Sequence, residues 1–291
     1  MTVGLFPGQG VAPSLVLESL VDDDLLTRAD ELLGYDLRAR VEVSCRGKSS
    51  VLPTTIAQPA IFVGGLIAWA RATTEGRRFN AYAGHSVGEF AALVAGNAIA
   101  FDDGLCAVAS RAAFMERAAR LNPGGMMAVL GPDIGTVEVV VERAGVTIAN
   151  DNAPGQVVLA GSEDGLARAA AMVREIGARA ILLDVSGPFH SAAMEPASVG
   201  LRDTLDHISV RSPQVPVMSN VTALPYRAPG EIRKRLVEQL VNRVRFREVL
   251  EWLWQHNAEA FEDFGPGDVV ARLARRSYRS FASPEKATVD A

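Results

Sequence analysis

Cysteine is nearly absent: Cys45 and Cys106 are the whole complement. Two cysteines exclude a disulfide framework and a structural zinc site, and they fit a reducing compartment such as the cytoplasm. Positive charge is not in excess. Lys and Arg total 29 against 34 Asp and Glu, for a net charge of −5, which argues against a general nucleic-acid partner. No apolar run is long enough for a membrane span; the longest, residues 57–70, carries Pro59, Gly64 and Gly65. The first residues lack a basic segment ahead of an apolar one, so no signal peptide is expected. Internal repeats and low-complexity segments are missing too. Histidine is scarce, with four in the chain. What remains is a globular composition, with 291 residues that leave room for one large domain or a domain carrying an insertion.

The most informative stretch is Gly84-His85-Ser86-Val87-Gly88, a G-x-S-x-G pentapeptide. Phe79-Asn80-Ala81-Tyr82-Ala83 before it reads as a strand, and Glu89 to Ala95 after it as a helix. Strand, sharp turn and helix form the setting of a nucleophile elbow. The glycines let the backbone fold tightly and keep side chains away from the serine. Ser86 then stands at a helix N-terminus, where backbone N–H groups can stabilise an oxyanion. The alternative is a glycine-rich turn whose serine only caps the helix.

The order of elements implies an α/β fold. Residues 1–6 form a strand running into the tight loop Pro7-Gly8-Gln9-Gly10. Residues 22–33 and 57–73 read as helices, and Asp102 and Asp103 cap a helix reaching residue 121. The rhythm then changes. Strands at 126–130, 146–149, 156–160 and 179–185 alternate with helices at 134–144 and 163–176. That sequence is β-α-β-β-α-β, the ferredoxin-like arrangement. Strands at 217–220 and 260–263, and helices at 228–240, 246–256 and after Gly267, complete the chain. The expected layout is a catalytic domain from 1–124 and 189–280, a ferredoxin-like small domain at 125–188, and a disordered tail at 281–291.

An activated serine needs a base within hydrogen-bond reach. His85 adjoins Ser86 and reads as structural, because neighbouring side chains diverge at an elbow. His207 and His256 lie in polar stretches. His190, in the loop Val185-Ser186-Gly187-Pro188-Phe189-His190-Ser191, is the candidate base; its alternative role is to cap the following helix. No carboxylate after it stands out as the orienting acid. A backbone carbonyl would suffice, since only tautomer and ring orientation must be fixed.

Arg111 is misplaced for a surface residue. Projected at about 100° per residue, helix 103–121 places Leu105, Val108, Ala112 and Met115 on one apolar face. Arg111 falls inside that arc. A guanidinium there is costly unless an anion pairs with it. The anion is either an internal carboxylate or a substrate carboxylate gripped by the planar fork.

Phe6-Pro7-Gly8-Gln9-Gly10, Gln58-Pro59-Ala60, the Gly84–Gly88 elbow with Glu89-Phe90, Arg111, Asn152-Ala153-Pro154-Gly155-Gln156, Phe189-His190-Ser191 and Gly265-Pro266-Gly267 occur in one order. Together they resemble the malonyl-CoA:acyl carrier protein transacylases and the acyltransferase domains of polyketide synthases, over residues 3 to about 275. The resemblance implies an α/β-hydrolase-like large domain with the ferredoxin-like insertion. It implies Ser86 as nucleophile, His190 as general base, the N–H groups of Gln9 and Val87 as oxyanion hole, and Arg111 as partner of the malonyl carboxylate. Gln58 would line the pocket, and the backbone carbonyl of Arg245 would orient His190. Val87 and Phe189 point to malonyl rather than methylmalonyl, Phe189 filling the space of a 2-methyl group. The implied partners are malonyl-CoA and an acyl carrier protein of polyketide or fatty acid biosynthesis, with no metal or other cofactor, no nucleic acid and no membrane. Departures at Val11-Ala12-Pro13-Ser14, Arg243-Val244 and Phe246 imply a different channel mouth. Two rival readings are a thioesterase or editing hydrolase with the same Ser–His dyad, and a non-catalytic docking subunit.

Overall fold

The computed structural model describes residues 1–46 and 51–282. The chain opens with β1 (Thr2–Phe6), then α1 (Pro13–Ser19), α2 (Asp24–Leu33), α3 (Leu37–Cys45) and α4 (Thr54–Thr74). Next come β2 (Ala81–Gly84), α5 (Gly88–Ala95) and α6 (Phe101–Leu121). The following stretch runs β3 (Gly125–Leu130), α7 (Ile134–Ala144), β4 (Thr147–Ala153), β5 (Gln156–Gly161), α8 (Glu163–Glu175) and β6 (Arg179–Leu183). A short 3₁₀ turn, Ala192–Met194, leads into α9 (Glu195–Asp206), followed by α10 (Pro229–Gln239), α11 (Phe246–Gln255), β7 (Ala260–Asp263) and α12 (Val269–Ala282).

Two sheets form. β2, β1 and β7 are parallel neighbours in that order. Their residues are almost all apolar or small and, in β1 and β2, almost wholly buried, as expected when helices cover both faces of a parallel sheet. Phe6 pairs with Gly84, so the loop after β1 and the turn after β2 leave the sheet side by side. Ligand sites of open parallel sheets sit beyond such carboxyl ends. Residues 217–220 do not form the expected full strand. They add one parallel bridge, Tyr82 to Val217, and then turn back so that Met218 bridges Pro225. This early turn brings Asn220 beside the elbow.

The second sheet is antiparallel throughout, in the order β4-β5-β3-β6. The β-α-β-β-α-β order read from the sequence is the order observed. Met127, Val129, Leu159, Val140, Leu166 and Val173 belong to a hydrophobic cluster made only from this sheet and α7 and α8. The larger cluster is built around α4, α5 and α6. β4 also ties the two sheets' surroundings together. The Asp151 N–H donates to Val244 O at 2.9 Å, and the Asp151 carboxylate pairs with Arg247 at 2.9 Å.

Several boundaries differ from expectation. α4 starts at Thr54, so Pro59 lies inside the helix rather than near its start. The sequence reading does not anticipate α1 and α3, and sets no bounds for the helix after Ser191, which is α9; the α3 stretch shows almost no segregation of apolar from polar positions. Residues 281 and 282 end α12 instead of belonging to a tail; residues 283–291 lie outside the described residues. Among the described residues no helix is long and apolar enough to cross a membrane.

Candidate active site

The turn after β2 is as tight as its sequence implies. A Cβ at Gly84 would lie 2.0 Å from the Gly88 carbonyl carbon, and one at Gly88 would lie 2.3 Å from Phe6 O. Only glycine fits either place. Ser86, between them, takes a left-handed conformation with φ 52°, uncommon for a residue with a side chain. The strain is held by partners on every side. Asn220 clamps the turn, its Oδ1 accepting from Ser86 N at 2.8 Å and its Nδ2 donating to Gly84 O at 2.7 Å.

Ser86 Oγ lies 2.8 Å from His190 Nε2. His190 Nδ1 lies 2.8 Å from Gln239 O, a carbonyl that can only accept. Nδ1 therefore carries the proton, and Nε2 is free to accept from the serine hydroxyl. The orienting carbonyl belongs to Gln239, at the end of α10, and not to Arg245. The Arg245 carbonyl is committed elsewhere, accepting from Val249 N at 3.0 Å in the first turn of α11. The Arg245 guanidinium lies on Glu248, and its backbone N–H donates to Asn220 O at 2.9 Å. His190 itself has φ 58° and is buried. Burial first, and the nearby Arg111 cation second, hold its pKa down to about 3, so the ring is neutral at ordinary pH. Ser191, rather than His190, caps the following turn through its Oγ.

The other histidines stand where expected. His85 Nε2 meets Asn152 Oδ1 at 2.7 Å, and burial lowers its pKa. His207 and His256 are exposed.

Arg111 is 1% exposed and enters no ion pair among the described residues. Of the two anions the sequence left open, the internal carboxylate does not touch it; neutral groups stand there instead. Its Nη1 donates to Gln58 Oε1, and its Nη2 donates to Gln239 Oε1 at 2.9 Å and to Ser86 Oγ at 3.0 Å. Its Nε–H has no partner among the described residues, and the Phe90 ring lies 5.8 Å from the guanidinium carbon. Burial pushes its pKa down to about 9, with Glu89 acting in the opposite sense. The guanidinium therefore stays charged at pH 7.

Gln58 is fully buried behind Arg111 and does not line the open cleft. Its Nε2 donates to Thr54 Oγ1 at 2.8 Å, and Thr54 Oγ1 donates to Gln9 Oε1 at 2.6 Å. A chain of polar side chains thus links the loop after β1 to Arg111. Gln9 and Phe189 border a cleft of about 330 Å³, together with Val11, Leu52, Pro53 and Val185. Val11, one of the unusual residues after Gly10, is part of that wall. The N–H groups of Gln9 and Val87 carry no hydrogen bond among the described residues. Val87 is at the N-terminal cap of α5, where the helix dipole favours a developing negative charge.

Sequence reasoning missed Glu89, Asn220, Thr54, Tyr226 and the role of Gln239. Glu89 is 1% exposed. It accepts from the Tyr226 hydroxyl, from Gln239 Nε2 at 2.5 Å and from Asn220 N at 3.3 Å. Burial pushes its carboxyl pKa up to about 7 against the pull of these donors. A signal was available: a Glu directly after an elbow faces the sheet, and a carboxylate there must find donors.

The whole arrangement is a nucleophile, a neutral base and an unneutralised cation around one oxygen, with the N–H groups of Gln9 and Val87 left unbonded among the described residues. It can attack a carbonyl and hold an anion near the new ester. The acyl transferase domain family matches residues 9–290. The chain belongs to that family. The malonyl CoA-acyl carrier protein transacylase of Bacillus subtilis (strain 168) is 35% identical over 287 residues, covering 94% of this chain and 90% of that one. The structure of the malonyl CoA-acyl carrier protein transacylase of Coxiella burnetii superposes with a TM-score of 0.86 at 31% identity, covering 96% of this chain and 91% of that one. A malonyl-transacylase solved in complex with a type II PKS acyl-carrier protein gives 0.85 at 30% identity, covering 96% and 93%.

Proposed function

We propose that this acyltransferase moves a malonyl group from CoA to the phosphopantetheine thiol of an acyl carrier protein, in the cytoplasm, by way of an acyl ester on Ser86. The observation that carries the reading is the double contact of one oxygen: Ser86 Oγ lies 2.8 Å from a neutral imidazole nitrogen and 3.0 Å from a buried, unneutralised Arg111. Family membership supports the transfer chemistry, and the relatives above are named for transfer, not hydrolysis.

His190 Nε2 takes the Ser86 hydroxyl proton as Oγ bonds to the thioester carbonyl carbon. The oxyanion sits on the N–H groups of Gln9 and Val87. The C–S bond breaks, and the imidazolium returns its proton to the leaving CoA sulfur. The carrier thiol then gives its proton to His190, attacks the ester, and regenerates Ser86. Arg111 gives up its contact with Ser86 Oγ to grip the free malonyl carboxylate. Phe189, buried at the cleft wall, fills the space a 2-methyl branch would need, worth about 1–3 kcal/mol of discrimination. The reaction needs no metal or redox cofactor; both thioesters are substrates.

The finer fold reading belongs to the same proposal. An α/β-hydrolase-like domain at 1–124 and 189–280 carries the elbow, and a ferredoxin-like unit at 125–188 covers it. The all-antiparallel order β4-β5-β3-β6 with its own apolar cluster supports that division.

Replacing Ser86 with Ala abolishes labelling by radioactive malonyl-CoA. Label retained on Ser86→Ala protein would sink the assignment.

A further inference from the structure

Arg111 raises a question that the reaction alone does not answer. A buried cation needs negative charge nearby, yet a carboxylate touching it would occupy the donors a substrate must use. The nearest buried carboxylate, Glu89, is set one side chain back. Between them stands Gln239. Its Nε2 donates to Glu89 at 2.5 Å and to Ser86 O at 3.1 Å, and its Oε1 accepts from Arg111 at 2.9 Å.

This geometry decides which way the Gln239 amide faces. Two acceptors, Glu89 and the Ser86 carbonyl, lie on one side and demand the NH₂ group. The oxygen is left for Arg111. Glu89 in turn is aimed by the Tyr226 hydroxyl and by Asn220 N. All four side chains are buried, so no solvent can substitute for a lost partner.

Resting on the malonyl reading above, we propose that Glu89 is a positioning residue for acyl selectivity. It locks the Gln239 amide with its oxygen on Arg111, and it supplies countercharge through that amide without quenching the guanidinium. With Tyr226 still donating, as it does to Glu89, an uncharged amide at position 89 accepts with its oxygen, and its NH₂ then meets the NH₂ of Gln239. The Gln239 amide then flips and presents donors to Arg111, which turns away. The backbone carbonyl of Gln239, which holds His190, is untouched by that flip, so the dyad survives while the carboxylate grip is lost.

The test measures kcat/KM for acylation by malonyl-CoA and by acetyl-CoA in wild type, Glu89→Gln, Gln239→Met and the double variant, with melting curves for each. Gln239→Met removes the amide, keeps the length of the side chain and retains the backbone carbonyl. The expected result is a malonyl-to-acetyl ratio lowered about tenfold or more in each single variant, the value of one charge-assisted hydrogen bond. The ratio should fall no further in the double variant, because both changes break one connection. A ratio that stays at the wild-type value, or malonyl and acetyl rates that fall in parallel, overturns the proposal. So does an effect of Glu89→Gln that persists unchanged on the Gln239→Met background. Wild-type protein that takes no malonyl group would instead overturn the underlying malonyl reading, a distinct failure visible before any variant is made.

Discussion

Arg111 and His190 show how burial sets chemistry one side chain at a time. Arg111 is fully enclosed yet bound only by amide and hydroxyl oxygens, so its charge is available to a ligand. Arg111→Ala should cut malonyl acylation by about tenfold to a hundredfold, the worth of a charge-assisted contact, while acetyl acylation is spared or improved. An unchanged preference between the two acyl-CoAs rejects the role. His190 and Glu89 leave a second signature, in stability. The folded imidazole resists protonation until about pH 3, whereas the unfolded one titrates at 6.5, so its contribution is lost as pH falls below 6.5. Glu89 runs the other way: its folded pKa of about 7 exceeds the unfolded 4.5, so stability rises as pH falls through 7. Between pH 7 and 5 the two contributions act in opposite senses. His190→Gln should therefore gain stability on acidification relative to wild type, and Glu89→Gln should lose it. Urea midpoints at the two pH values check both signs. Arg111 and the dyad were legible because each breaks a local rule, a charge on an apolar face or a loop histidine after a strand. The orienting carbonyl was not, because any backbone carbonyl looks alike in a sequence; Arg245 sits near in the chain, but its carbonyl begins α11.

The elbow was the most legible element, since its glycines are dictated by contacts and not by propensity. Gly84→Ala forces a Cβ against the Gly88 backbone at 2.0 Å, where nothing flexible can yield. It should cost about 1–3 kcal/mol or more of stability and disable Ser86 acylation. Wild-type melting and activity in that variant would show the turn to be looser than its contacts imply. The antiparallel β-α-β-β-α-β unit was equally readable, because apolar periodicity switches cleanly between its strands and helices. Residues 217–220 were misread for a physical reason. Val217 and Met218 have strand composition, but the chain must turn at Asn220 to clamp the elbow, so the element stops after one bridge. α3 was invisible because its helix surface has no well-defined apolar face.

The two sheets, with the parallel one's carboxyl ends beneath the elbow, make a molecule whose cleft is bordered by the loop after β1, the start of α4 and the segment after β6. Many arginines of the last third of the chain are already engaged by neighbours within it. Arg233 donates to Leu205 and Ile208 carbonyls, Arg235 pairs with Glu238, Arg247 with Asp151, and Arg272 with Asp268. Reversing those charges would disturb the fold as well as any docking. Arg227 and Lys234 are exposed, and charge reversal at both should raise the KM for an acidic carrier at low salt while leaving acylation by malonyl-CoA unchanged. A carrier KM indifferent to both changes would place docking elsewhere. The measurement that tests malonyl transfer through Ser86 most directly is intact-protein mass spectrometry after mixing with malonyl-CoA, first alone and then with holo carrier protein. The expected result is a malonyl adduct on Ser86 that persists in water and moves to the carrier when it is added. An adduct that decays to free malonate without an acceptor, or one that forms on a residue other than Ser86, would contradict it.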